Sequence, residues 1–347
     1  MKAAVLHQYD EKLAGPEWVV YQDVPDPKIV KPNDVIVRIG GAGVCRTDLH
    51  IVEGLWRGHA DVTLPYILGH ENAGWVAEVG KGVEGVKVGD KVIIHPLVTN
   101  GYCLACRRGN DMHAENSSFP GVNVNGGYAE YLLTNERALI KLPDNLEPKA
   151  VAPYTDAGLT AYRAAKKAAS HLLPGEYVVV VGAGGLGHIG IQALSALCAA
   201  EIIVVDRSDA ALELSRNMGA HHTVKADEGW DDEILALTGG HGAEAVIDFV
   251  GEGDAVEKSL AATRNQGSYY IVGYGGKVEV PTIDMITTEK RIIGCLVGTF
   301  PELVELMALA ERGLVKLDTR EYKLSDANQA LQDLHHGIFT GRAVLVP

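Results

Sequence analysis

The chain has 347 residues, a hydrophobic fraction of 47%, a charged fraction of 22% and a formal net charge of −14. That length predicts about two domains, and the acidic balance without a basic cluster excludes nucleic acid and an anionic membrane surface as expected partners. No apolar run reaches the ~18 residues of a transmembrane helix, and the opening "MKAAVLHQYDEK" turns polar too early for a signal peptide.

In chain order, residues 1–150 read as mostly β. "DVIVRIGGAGV" and "DKVIIHPL" run apolar or alternate over strand lengths, bounded by Gly, Pro and Asp. "NVNGGYAEYLL" sets Asn-Gly before a Tyr-rich strand, the signal of a hairpin. The pattern changes near Pro153. A helix-like run, "AGLTAYRAAKKAA", is followed by the strand "YVVVVG", the helix "LGHIGIQALSALCA", the strand "EIIVVD" and the helix "DAALELSRNMG". Strands "EAVIDFVG" and "SYYIVG" come next. Apolar strands alternating with helices predict a parallel sheet covered on both faces. Beyond about residue 290 the alternation decays into a helix, "PELVELMALAERG", and the segment "GRAVLVP". The expected class is therefore α/β, with a β-rich region at 1–150, a doubly wound domain at 151–290 and a further segment at 291–347.

"VVVVGAGGLGHIG" supplies Gly182, Gly184 and Gly187 between a strand and a helix, with Gly185 and Leu186 inside the turn. In a dinucleotide fingerprint the first Gly permits the tight turn, the second lets the backbone approach a pyrophosphate and the third lets helix and strand pack closely. The helix N-terminus then offers free N–H groups to the phosphates. Asp206 ends the next strand, 24 positions after Gly182. A carboxylate there accepts the adenosine ribose hydroxyls and repels a 2′-phosphate, which favours NAD over NADP. The neighbouring Arg207 weakens that preference.

Two stretches hold ligand-type residues. "GAGVCRTDLH" carries Cys45, Arg46, Thr47, Asp48 and His50, and "LPYILGHENAG" carries His70 and Glu71. Thiolate and imidazole suit zinc, although a lone Cys reads equally as a buried hydrophobe and a lone His as a core residue. The five cysteines are an odd, scattered set (Cys45, Cys103, Cys106, Cys198, Cys295), suited to a reducing cytoplasm and not to a disulfide framework.

The ordered series Cys-Arg-Thr-Asp-x-His, Gly-His-Glu, a cysteine lobe, "GGYAEY" and Gly-x-Gly-x-x-Gly resembles the zinc-dependent medium-chain alcohol dehydrogenases across essentially the whole chain. The resemblance implies a GroES-like β-rich catalytic domain and a Rossmann domain, with the C-terminal segment returning to the catalytic part. It implies a catalytic zinc on Cys45 and His70, with Asp156 of "APYTDAGLTAY" as third ligand and Glu71 as a transient one. Read by itself, Asp156 is a helix N-cap. Asp48 either accepts the free N–H of the His70 ring or is an ordinary loop carboxylate.

By the same resemblance, Thr47 takes the alcohol proton, which passes through the nicotinamide ribose hydroxyl to His50. Arg46 and Arg342 are pyrophosphate contacts; as bare residues they read as solvated surface charges. Val272, Gly273, Leu296 and Val297 hold the carboxamide. The implied enzyme is an NAD- and zinc-dependent alcohol dehydrogenase acting on a small-molecule alcohol, aldehyde or ketone, as a cytoplasmic homodimer or homotetramer. Polyol and threonine dehydrogenases, or a zinc-free quinone or enoyl reductase, are the alternatives.

The lobe "TNGYCLACRRGNDMHAENS" departs from the family's Cys-x2-Cys-x2-Cys-x7-Cys. Cys103 and Cys106 fill the second and third positions, but Asn100 and Ala114 stand at the first and fourth. One zinc per chain is therefore expected, with none in the lobe unless His113, helped by Asp111 or Glu115, rescues it.

Overall fold

The run "DVIVRIGGAGV" forms one strand, Asp34–Val44, buried along its length except at Arg38. It pairs antiparallel with Glu71–Val79, Tyr131–Asn135 and Arg342–Val346. Residues on both faces of the strand are buried, which explains its near-continuous apolar run. The computed structural model describes residues 1–58 and 62–347, which divide into two units. The first unit comprises Met1–Ala157, Thr299–Glu311 and Leu317–Pro347, and the second Gly158–Gly298 and Arg312–Lys316.

In the first unit the main sheet continues through Lys91–Ile94 to Leu139–Lys141, and on the other side through Arg342–Val346 to Thr319–Lys323. Its core includes Val35, Val37, Ile39, Val92, Ile94, Leu132, Ala343 and Leu345. The strand Asp34–Val44 leads through Cys45 into a helix that periodicity did not reveal, Arg46–Glu53. The Asp48 side chain accepts the Cys45 N–H at 2.9 Å, one half of a capping box, and Gly54 closes the helix in the left-handed region at φ 80°.

The Asn-Gly at 125–126 makes no hairpin. Tyr131–Asn135 pairs with Asp34–Arg38, far back in the chain, and not with a segment just before the Asn-Gly. Gly126, Gly127 and Tyr128 give their N–H groups to the carbonyls of Ile67, Gly69 and Leu68. A tertiary partner thus outcompetes the local turn.

The second unit carries six parallel strands. Their spatial order is His222–Lys225, Glu201–Asp206, Tyr177–Val181, Ala243–Asp248, Thr263–Ile271, Arg291–Gly294. That is 3-2-1-4-5-6 in chain order, the doubly wound dinucleotide arrangement. Val179, Val181, Ile203, Val205, Val246 and Tyr269 form its core with Trp230 and Ile234. Among the described residues no helix is long and apolar enough to cross a membrane.

Candidate active site

Three element boundaries of the first unit converge. Cys45 joins the strand Asp34–Val44 to its helix, His70 immediately precedes the strand Glu71–Val79, and Asp156 precedes the helix Ala157–Ala169. One ligand-type atom from each of Cys45, His70, Glu71 and Asp156 lies within 4.8 Å of all the others. Cys45, His70 and Glu71 are buried and Asp156 is half-buried.

His70 is 1% exposed and sits between two carboxylates. Its Nδ1 lies 3.2 Å from Asp48 Oδ1 and its Nε2 3.3 Å from Asp156 Oδ2. These separations satisfy an ion-pair distance, but neither nitrogen has a partner of hydrogen-bond geometry. A buried polar atom left this way calls for a cause, and a cation on the Nε2 side supplies one. Burial works against a charged His70, yet Asp48, Asp156 and Cys45 together raise its pKa well above the ordinary value. The cluster's negative field favours a positive charge, whether proton or metal. One thiol, one imidazole and one carboxylate match the three-ligand pattern of catalytic zinc, so the residues present fit that ion.

Glu71 is otherwise engaged. Arg342 Nη2 lies 2.5 Å from both of its carboxylate oxygens, and the Ala157 N–H donates to Oε1 at 3.1 Å. Burial raises the Glu71 pKa, with Arg342 opposing the shift. Arg342 itself is 4% exposed, so it is no solvated surface charge. Burial acts to lower its pKa, but the neighbouring Glu71 and Cys45 raise it. Arg46 is exposed; Thr47 and His50 are half-buried on the helix Arg46–Glu53.

The second unit gathers the nucleotide-type residues. Gly182 has φ +87°, which an L side chain rarely adopts, and a Cβ on Gly187 would stand 1.9 Å from the Gly182 carbonyl oxygen. Gly184 faces open space, with nothing within 4 Å of its would-be Cβ. These are the tight turn, the close helix packing and the open approach that the fingerprint requires. Gly185 and Leu186 are half-buried. Asp206 accepts the Ala183 and Ser208 N–H groups, each at 2.7 Å, and Arg207 beside it is exposed. The Val272 and Gly273 N–H groups both donate to Asp248 O, at 2.9 and 3.0 Å. Leu296 is exposed, and Val297 is buried with φ 45°, a strained value for a β-branched residue.

In the lobe, Cys103 Sγ lies 3.2 Å from Cys106 Sγ. Hydrogen bonding from Cys106 lowers the Cys103 pKa, and burial raises that of Cys106. Asn100 accepts the Tyr102 N–H, while His113 and Glu115 are exposed. Asp111 is occupied by Thr99 Oγ1 at 2.5 Å and by Arg137 Nη2 at 2.9 and 3.0 Å. Arg137 also reaches the Cys106 carbonyl at 3.2 Å, tying the lobe together.

Sequence reasoning missed two features. The Glu71–Arg342 pair joins residues 271 positions apart and has no local signal. Tyr128 was visible inside "GGYAEY", but its contact with Asp48 was not.

A family model described as an alcohol dehydrogenase GroES-like domain matches residues 31–144, and one described as a zinc-binding dehydrogenase matches 185–312. A curated relative from Sulfolobus acidocaldarius, named NAD-dependent alcohol dehydrogenase, is 38% identical over 99% of each chain. A solved alcohol dehydrogenase from the hyperthermophilic archaeon Aeropyrum pernix is 46% identical, with a TM-score of 0.95 and full coverage of both chains. A relative from Saccharolobus solfataricus, named D-arabinose 1-dehydrogenase (NADP(+)), is 34% identical, covering 100% of this chain and 97% of its own.

Proposed function

The chain belongs to the zinc-dependent medium-chain alcohol dehydrogenase family, and from that premise we propose that it interconverts alcohols with aldehydes or ketones, using NAD and a zinc ion held by Cys45, His70 and Asp156. The observation that carries the metal assignment is the buried His70 ring, whose two nitrogens lack hydrogen-bond partners amid a thiol and carboxylates.

When bound, zinc supplies Lewis acidity that lowers the pKa of an oxygen ligand, and NAD supplies the hydride acceptor. The chain's own residues do the rest. Asp48 places Oδ1 3.2 Å from His70 Nδ1, an ion-pair separation that favours the tautomer with its proton on that nitrogen and leaves Nε2 for the metal. Arg342 opposes the upward pull of burial on the Glu71 pKa and occupies both carboxylate oxygens, which limits Glu71 to a transient ligand role. Thr47 receives the alcohol proton, and His50, a residue whose ordinary pKa lies near neutrality, delivers it to water. Asp206 retains acceptor capacity beyond its two backbone bonds. It therefore binds ribose hydroxyls and disfavours a 2′-phosphate, which supports NAD. Arg46, exposed on its helix, is the pyrophosphate contact that remains available in the first unit, whereas Arg342 is taken up by Glu71. Within the second unit, Gly182–Gly187, Arg207, Val272, Gly273, Leu296 and Val297 are the cofactor contacts.

We assign the substrate to the class of small alcohols and carbonyl compounds, with one zinc per chain. The setting is a reducing cytoplasm. A homodimer or homotetramer is supported by Arg291–Gly294, which lies at the edge of its sheet and offers a strand for pairing. The test is a panel of primary, secondary and polyhydroxy alcohols with both cofactors, alongside metal analysis of the protein and of Asp156→Asn. Asp156→Asn keeps N-capping ability but weakens coordination, so zinc and turnover should fall together. Full metal content and full rate in that variant would make Asp156 a cap and not a ligand.

A further inference from the structure

The segment Gly126-Gly127-Tyr128 lies backbone to backbone against the loop that leads into His70, through N–H donations to Ile67, Gly69 and Leu68 at 2.7, 2.8 and 3.0 Å. Tyr128 is fully buried. Its ring fills the place where Gly69 has no side chain: a Cβ there would stand 2.3 Å from a ring carbon. At the far end of the ring the hydroxyl donates to Asp48 Oδ2 at 2.8 Å and lies 3.4 Å from the Gly43 carbonyl. The same Oδ2 accepts the Cys45 N–H at 2.9 Å, and Oδ1 faces His70 Nδ1 at 3.2 Å. One side chain therefore touches the strand before Cys45, the helix after it and the loop before His70.

We propose that Tyr128 is a positioning residue for the metal site, its hydroxyl fixing the Asp48 carboxylate so that one oxygen anchors the Cys45 backbone and the other orients His70. The inference rests on the reading that Cys45, His70 and Asp156 hold zinc. With two donors on Oδ2, rotation of the carboxylate costs two hydrogen bonds to a charged group. Oδ1 then stays aimed at Nδ1, and Nε2 keeps its lone pair for a metal. A tyrosine present only for packing would have a dispensable hydroxyl, but this one is aimed at an anion that touches both ligand segments.

Tyr128→Phe isolates the hydroxyl and keeps the ring on Gly69. Zinc affinity is measured on metal-stripped protein by competition with a chromogenic chelator, and ligand geometry by the visible spectrum of the cobalt-substituted form. Loss of an outer partner of a metal ligand weakens binding by about 10–100-fold, and that range is expected here, with a shifted cobalt spectrum. Asp48→Asn should weaken binding as well, and the double variant should be no weaker than Asp48→Asn alone, because the hydroxyl acts through Asp48. A Tyr128→Phe protein that loses thermal stability but keeps the unmodified zinc affinity and cobalt spectrum would overturn the proposal, as would additive effects in the double variant. Unmodified protein that binds no zinc would overturn the zinc reading, and this inference with it.

Discussion

Replacing Arg342 by Met should damage the protein before any question of turnover arises. Glu71 is 0% exposed and Arg342 4%, with Nη2 at 2.5 Å from both carboxylate oxygens. Relaxation is blocked on one side, because a Cβ on Gly43 would already stand 1.9 Å from Glu71 Oε2. Arg342→Met therefore leaves a buried carboxylate with the single backbone donor Ala157. Breaking a buried pair in this way costs about 3–5 kcal/mol. Glu71→Gln in the same chain removes the stranded charge and should recover at least ~1 kcal/mol, a coupling typical of touching residues.

The assay is denaturant unfolding of metal-free protein followed by tryptophan fluorescence. Trp18, Trp56 and Trp75 lie in the first unit and only Trp230 in the second, so the signal reports mainly on the unit concerned. The penalty also has a pH signature. In the variant the folded-state pKa of Glu71 stands above its unfolded value, so protonation relieves the folded chain first. The destabilisation is largest near pH 7 and shrinks as pH falls toward the unfolded carboxylate value of about 4. A penalty under ~1 kcal/mol, or one that grows on acidification, would refute this account of the pair.

Three further outcomes follow from the proposed function. Unmodified protein should prefer NAD to NADP, and Asp206→Gly should relax that preference; comparable kcat/KM with both cofactors at the outset would remove Asp206 from the discrimination. His50→Gln should slow alcohol oxidation most at neutral pH and less at high pH, where hydroxide takes the proton; under conditions where hydride transfer or its linked proton step limits the rate, an unchanged pH–rate profile would exclude the relay. Metal analysis of protein purified without chelator should give about one zinc per chain and titratable thiols at Cys103 and Cys106, whereas a second zinc lost on His113→Ala with activity intact would show a rewired lobe.

The second unit was the more legible in the sequence. Its strands are buried on both faces, so "YVVVV" and "EIIVVD" announce themselves, and the strand Glu201–Asp206 and the helix Ala157–Ala169 match their predicted runs residue for residue. The first unit was read less well. The helix Arg46–Glu53 is short and follows a strand without a break, and the Asn-Gly signal at 125–126 yields to the pairing of Gly126–Tyr128 with Ile67–Gly69. Cys45, His70 and Asp156, which the structure gathers with Glu71 within 4.8 Å, each sit in a recognisable string. Asp48 was legible as a candidate partner of His70, but the next contacts outward escaped, because Tyr128 meets Asp48 across 80 positions and Arg342 meets Glu71 across 271. Contacts of that span leave no periodicity.

The strand Arg342–Val346 has a consequence for how the chain is made. During synthesis Glu71 leaves the ribosome long before Arg342, and residues 158–298 are available to fold as a unit in the interval. Throughout that time the Glu71 carboxylate has no guanidinium to meet, and the strand Asp34–Val44 lacks one of its neighbours. A nascent polypeptide stopped after Asp156 and before Arg342 holds Cys45, His70 and Asp156, but burying Glu71 in it means either stranding its charge or protonating it. The first unit is thus expected to complete its packing around Glu71 only after Arg342 has been made.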